Sequence, residues 1–391
     1  MQNYSIILIY LRFSEIFFVF LHLELKFLRI MTIKQRFFVA LFAMFITLSG
    51  NAQVAADKVN VGVMLPLHDV DGDGRRMVEY YRGILLACDK LKEQGKHINV
   101  HAWNVPIDAD IRTTLLQDGA PECNVIFGPL YTKQVKQLGE FCKAYNIKMV
   151  IPFSISGNDV DKNTQIYQVY QSADDLNATA IQHVVEHFSG YHPVIIDCND
   201  TTSRKGTFTF ALRKVLEKKG VQPSITNLRS SAEMFAKAFS LTQPNLVILN
   251  SGRSPELTQA MNKLDQLLKD NVNVKATMFG YKEWLMYAKY NRERFAKYNV
   301  YIPSDFYYNE VSAVTKEIEE KYRTAFHENM SYALPHFAIT GYEHAMYFIG
   351  NQRSWIQTPL DFKKQGSGGY RNKAFMLIHY KENGGVEALN Y

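Results

Sequence analysis

From residue 59 onward, short apolar runs alternate with segments whose apolar residues recur at helical spacing. VNVGVMLPL (59–67) is nearly continuous in apolar residues, the pattern of a strand covered on both faces. Met77, Tyr81, Ile84, Cys88 and Leu91 then mark one stripe of a helix. INVHAWNV (98–105) predicts a second strand, with a short helix near 110–118. CNVIFGPL (123–130) predicts a strand that stops at Gly-Pro, and Val135, Leu138, Cys142 and Tyr145 stripe the helix after it. KMVIPFS (148–154) closes this first series.

A second series has the same rhythm. HPVIIDC (192–198) leads to a helix at about 204–219, and VQPSITNL (221–228) leads to one at 231–240. NLVILNS (245–251) precedes a helix striped by Leu257, Met261, Leu264 and Leu268, and VKATMFG (274–280) follows. Strands alternating with helices imply parallel sheets with helices on both faces. The polar stretch Tyr170–Asp175, with a helix-capping Ser172 and Asp174, separates the two series. The expected architecture is therefore α/β, with two doubly wound parallel-sheet lobes and a cleft between them. Ligands in such sheets bind beyond the carboxyl ends of the strands. That places candidate residues on the turns after Leu67, Phe127, Pro152, Cys198, Asn250 and Gly280.

Composition narrows the class. The chain has 391 residues, 47% apolar and 21% charged, which excludes a mainly disordered protein. Only 22 Gly and 12 Pro exclude a collagen-like or low-complexity chain. Residues 31–52 (MTIKQRFFVALFAMFITLSGNA) have the three parts of a secretory signal: Lys34 and Arg36, an apolar core from Phe37 to Ser49, and small Gly50 and Ala52 before Gln53. No Cys follows that core, so a lipoprotein anchor is not indicated. Met31 is then the expected start, residues 1–30 an upstream start artefact, and the periplasm the expected location. The formal charge of +6 includes five Lys/Arg and two Asp/Glu from residues 1–52, so the remainder carries +3. That excess is too small to argue for nucleic acid. All four cysteines, Cys88, Cys123, Cys142 and Cys198, lie beyond the signal. An oxidising compartment permits disulfides, and Cys123–Cys142 is the favoured pair because both sit at one end of a β-α unit.

Three motifs invite a chemical reading and fall short of one. Asp69-Val-Asp71-Gly72-Asp73-Gly74 begins like a calcium loop, but its twelfth position is Tyr80, and an acidic turn is expected instead. His183-Val-Val-Glu186-His187 matches an inverted zinc-protease string without an evident third ligand. Gly366-Ser367-Gly368-Gly369 has no Lys-Ser/Thr after it and reads as a turn. No motif calls for a cofactor, and no nucleophile constellation suggests an enzyme.

In order and spacing, VGVMLPL (61–67), VIFGPLYT (125–132), MVIPFSIS (149–156), YQVYQSADD (167–175), PVIIDCND (193–200), PNLVILNSGRSPEL (244–257) and GYEHAMYFI (341–349) resemble the type I periplasmic solute-binding proteins, typified by the leucine/isoleucine/valine-binding protein. The resemblance implies a hinge of three chain crossings. Lobe one would hold 57–173 plus 303–355, and lobe two 174–302 plus 356–391. It also implies that lobe-one turns hold a ligand carboxylate. Thr132 falls where that family carries a binding hydroxyl, with Ser154 and Ser156 on the next turn, although Thr132 could equally be the N-cap of its helix. In lobe two, Ser203-Arg204-Lys205-Gly206 and Arg253 stand where amino-acid binders carry aromatics, and Glu283 lies near the position for an ammonium-binding acid. If Arg204, Arg253 and Lys282 face the cleft, an anionic ligand is favoured. Tyr131 and Tyr281 are the candidate aromatic walls.

The expectation is a small polar solute, anionic or amino-acid-like, in the inter-lobe cleft, delivered to an inner-membrane permease for ABC-type uptake or reported to a sensor. The alternative is a cell-envelope module that engages a cell-wall enzyme, resembling the penicillin-binding-protein activators. The aromatic tract WLMYAKYNRERFAKYNVYIPSDFYY (284–308) favours that alternative.

Overall fold

The computed structural model describes residues 58–153 and 156–391; the expected signal segment and Ser154 lie outside them. Two seven-stranded sheets form two α/β lobes. The first series builds β1 (Lys58–Leu65), α1 (Gly72–Glu93), β2 (His97–Asn104), α2 (Ile111–Leu115), β3 (Val125–Phe127), α3 (Thr132–Ala144), β4 (Lys148–Ile151) and β5 (Ile166–Gln168). The second builds α4 (Ala173–His187), β6 (His192–Asp197), α5 (Lys205–Lys218), β7 (Ser224–Asn227), α6 (Ala232–Ala236), β8 (Asn245–Leu249), α7 (Ser254–Asp270), β9 (Ala276–Phe279), α8 (Ala288–Lys297) and β10 (Tyr301–Ser304). After these come α9 (Ala313–Phe326), α10 (Phe337–Phe348), β11 (Phe362–Lys364), β12 (Tyr370–Asn372), β13 (Met376–Tyr380) and β14 (Val386–Asn390).

Sheet one has the order β11-β12-β5-β4-β3-β1-β2 and sheet two β14-β13-β10-β9-β8-β6-β7. Their central strands pair in parallel, as the alternating pattern requires. β1 explains its own apolar run. Val61, Val63 and Leu65 face α1 and α10, while Met64 faces the opposite layer with Val135, Leu138 and Ile151. In lobe two, Val247 and Ile248 of β8 are buried with Leu257, Met261 and Leu264 of α7. Each such side chain removed from water contributes about 1.5–3 kcal/mol.

Helices α1 and α10 cross at unusually short range, and two glycines allow it. A Cβ on Gly83 would lie 1.9 Å from the Ala338 carbonyl, and one on Gly341 would lie 2.0 Å from that of Tyr80. The contact is reciprocal, each helix offering a glycine to the other's backbone.

Three crossings join the lobes, after β5, after β10 and between β12 and β13. The last departs from the expected 355/356 division. β11 and β12 extend the edge of sheet one, β12 pairing in parallel with β5, so the chain returns to lobe two only between Asn372 and Met376. These strands are three residues long, too short to show a period. The Gly366–Gly369 segment is the turn between them, with Gly366 at φ +52°. The favoured disulfide is also corrected. All four cysteines are free and buried. Cys123 Sγ donates to the Gly119 carbonyl at 3.2 Å instead of bonding Cys142. Burial pushes the thiols of Cys88, Cys123 and Cys198 up to about 12.

Candidate functional site

The lobe-one turns are tied to one another by side chains. Asp71 caps α1, its Oδ1 accepting from the Gly74 amide at 2.7 Å. Asp73 accepts from Arg76 at 2.5 Å and from the Tyr131 hydroxyl at 3.3 Å. These acids of the calcium-like string therefore serve a helix cap and a tyrosine–arginine pairing. Burial, followed by the Asp73 charge, pushes the Tyr131 phenol up to about 12. Thr132 is the first residue of α3 and does not cap it; the N-cap position is Tyr131. The Thr132 hydroxyl instead accepts from the Ser156 amide at 2.9 Å, linking the turn after β3 to the turn after β4. Thr132 and Ser156 are both exposed.

Lobe two is different, because all but one of its candidate charges are committed internally. The Arg253 guanidinium hydrogen-bonds Thr202 Oγ1 at 3.1 Å and lies 3.6 Å from both Asp200 and Glu256. Hydrogen bonds from Thr202 and Ser251 hold the Asp200 carboxyl well below the usual range. Lys205 pairs with Glu283 at 2.7 Å, and Lys282 with Asp305 at 3.1 Å. Arg204 is exposed at the N-cap position of α5 and makes no capping bond with its side chain.

Tyr281 is a core residue and not a cleft wall. Its hydroxyl donates to the Leu249 carbonyl, and its ring meets Phe208 and Trp284 edge-on at 5.5 and 6.1 Å. An aromatic two residues beyond a buried strand satisfies a core as readily as a cleft, and sequence alone does not separate the two.

The inverted zinc-protease string does converge. His183, Glu186 and His187 each offer a ligand atom within 4.8 Å of the others. The His183 ring, however, stacks on Phe375 at 4.6 Å and packs against Tyr391 at 4.3 Å.

A feature that motif reasoning missed lies at the hinge. A hollow of about 300 Å³ is lined by the α8 region, the crossing segment after β10 and the loop before α10, so both lobes contribute. None of the six predicted residues that are described (Tyr131, Thr132, Ser156, Arg204, Arg253 and Tyr281) lines it. The available signal was the aromatic tract 284–308, which supplies Leu285, Met286, Phe306, Tyr307 and Tyr308 to its wall.

No protein-family model matches the chain, and no curated protein matches its sequence. Its fold is shared with solved structures. A proposed branched-chain amino acid ABC transporter from Rhodospirillum rubrum superimposes with a TM-score of 0.59 at 12% identity, over 85% of this chain and 100% of that one. This is the type I periplasmic binding fold. LpoA of Haemophilus influenzae has the same architecture over part of its length, with a TM-score of 0.52 at 13% identity, over 86% of this chain and 59% of that one. Two type I lobes and a hinge of three crossings are thus established at identities too low to transfer a ligand. Among the described residues, no helix is long and apolar enough to cross a membrane.

Proposed function

We propose that this protein is an exported, non-catalytic binding protein whose two lobes close on a small polar solute for uptake through an inner-membrane permease or for sensing. The observation that carries this reading is the arrangement of the lobe-one turns. Thr132 Oγ1 and the Ser156 amide are joined at 2.9 Å beside the carboxyl ends of β3 and β4, where an open parallel sheet receives ligands. The solute is anionic or neutral. Glu283, the carboxylate nearest the expected ammonium position, is already neutralised by Lys205 at 2.7 Å, and an ammonium without a carboxylate partner in a closed cleft costs several kcal/mol. A thermal-shift screen tests the reading. A true solute at 100-fold above its Kd adds about 2.7 kcal/mol and raises the melting temperature by several degrees. Acids and sugars are expected to do so, and free leucine is not.

A second reading, an envelope module that engages a cell-wall enzyme, is favoured by one observation: lobe two spends Arg253, Lys205 and Tyr281 on its own structure. The same fold occurs in LpoA. Under this reading no sugar or non-aromatic acid shifts the melting temperature.

A further inference from the structure

The hinge hollow differs from the strand-end turns in three ways. First, its walls are aromatic. Tyr307 and Tyr308 come from the crossing after β10, Tyr332 from the loop before α10, and Tyr380 from the end of β13. At about 300 Å³ it is at the small end of the range for ligand pockets. Its rim leaves large apolar groups in water, with Tyr332 81% and Val311 70% exposed, and Tyr290 on the neighbouring α8 84% exposed. Isolated apolar residues are ordinary on a surface, but a group of them around a concavity spanning two lobes marks a binding region.

Second, the cations of this region divide into two sets. Lys282, Arg294 and Lys297 are paired with Asp305 or Asp265 at 2.5–3.1 Å. Lys289 and Arg292, the two that line the hollow, have no carboxylate within 4.0 Å among the described residues. The one acidic lining residue, Glu310, leaves the hollow with one net positive charge. It therefore has room for a single anionic group.

Third, His336 lines the hollow while being only 9% exposed, and its Nδ1 has no hydrogen-bond partner. Its ring lies 4.4 Å from that of Tyr308. That nitrogen is closed off from the hollow, so the ring contributes its apolar surface to the wall.

We propose that the hinge hollow is a second ligand site, separate from the cleft turns, for a small mono-anionic acid that carries an aromatic ring. The ring packs among Tyr307, Tyr308 and Tyr332, and the anionic group meets Lys289 and Arg292. Because both lobes and the crossing contribute walls, such a ligand binds one hinge angle better than another. It thereby shifts the balance between open and closed forms. The inference does not depend on the identity of any cleft solute.

Isothermal titration with N-acetyl-L-tryptophan and its uncharged analogue N-acetyl-L-tryptophanamide tests the proposal on the intact protein. The acid should bind saturably at one site, and the amide about tenfold more weakly. Lys289→Ala with Arg292→Ala should bring the acid down to the affinity of the amide and leave the amide unchanged. Tyr332→Ala should weaken both. All three positions are exposed, so these variants fold, and their melting curves verify it. Absence of saturable acid binding would overturn the proposal. So would equal affinity for acid and amide, or an unchanged affinity in the double variant.

Discussion

The Lys205 ammonium lies 2.7 Å from the Glu283 carboxylate and 4.8 Å above the Tyr281 ring. One pairing thus engages three residues from the lobe-two turns: the acid nearest the expected ammonium position, a cation at the start of α5 and the buried Tyr281. Both charged groups keep partial contact with water, so the pair itself is worth no more than about 1 kcal/mol. A double-mutant cycle of Lys205→Met and Glu283→Gln, read by denaturant unfolding, should give a coupling energy in that range. A coupling of several kcal/mol would mean that the pair is a structural clamp.

The reciprocal glycine contact between α1 and α10 predicts a much larger effect. Gly341→Ala would place a methyl group 2.0 Å from the Tyr80 carbonyl, which is backbone and cannot swing aside. The variant should lose about 3 kcal/mol or fail to fold. Gly206→Ala provides the contrast. It lies in α5 with nothing within 4 Å of a new Cβ, and its substitution should stabilise by about 0.5–1 kcal/mol. Chemical denaturation of the two variants side by side gives opposite signs.

Two buried neighbours on α10 set a pH profile. Burial raises the Glu343 carboxyl to about 7, although it accepts backbone N–H bonds from Ile356, Gln357 and Thr358 at 2.5, 2.8 and 3.0 Å. Its folded value lies above the ordinary 4.5, so its stabilising contribution is complete below about pH 4.5 and is lost as pH rises through 7. His344 has the opposite sign. Burial lowers it from 6.5 to about 3, so its contribution is complete above 6.5 and is lost as pH falls toward 3. The two oppose each other between 4.5 and 6.5, where stability should be nearly flat, with slopes of up to about 1.4 kcal/mol per pH unit outside that window. Glu343→Gln should remove the decline on the alkaline side, and His344→Gln the decline on the acid side.

The four cysteines are buried thiols, and burial disfavours their reactive thiolates. Ellman's reagent should find almost no reactive thiol in the folded protein and four after denaturation without reductant. Two after denaturation would restore the Cys123–Cys142 bridge.

Much of the scaffold is legible in the sequence, because strands covered on both faces carry continuous apolar runs. All eight strands expected between residues 59 and 280 are present, from β1 to β9 with only β5 unpredicted. β10, β13 and β14 of lobe two, with four and five residues, lie past the regular series and are not read as strands either, while the misses in lobe one share a cause. β5, β11 and β12 have three residues each, and their identity as strands comes from the neighbour they pair with. The candidate site was less legible. Tyr281 and Arg253 were located correctly on their turns, yet the partners that occupy them, Leu249, Asp200 and Glu256, meet them only in the folded lobe. Side-chain direction at a turn is decided by such tertiary pairings and leaves no periodic trace.

The central claim, closure of two lobes on a solute, is tested most directly by a distance between the lobes. Leu116 in lobe one and Met234 in lobe two are exposed, and the native thiols are buried, so Leu116→Cys with Met234→Cys gives two selective positions for spin labels. Pulsed electron resonance should show the distance distribution shift when the solute that raises the melting temperature is added, with the longer-distance population depleted. A distribution that stays the same at saturating solute would contradict closure.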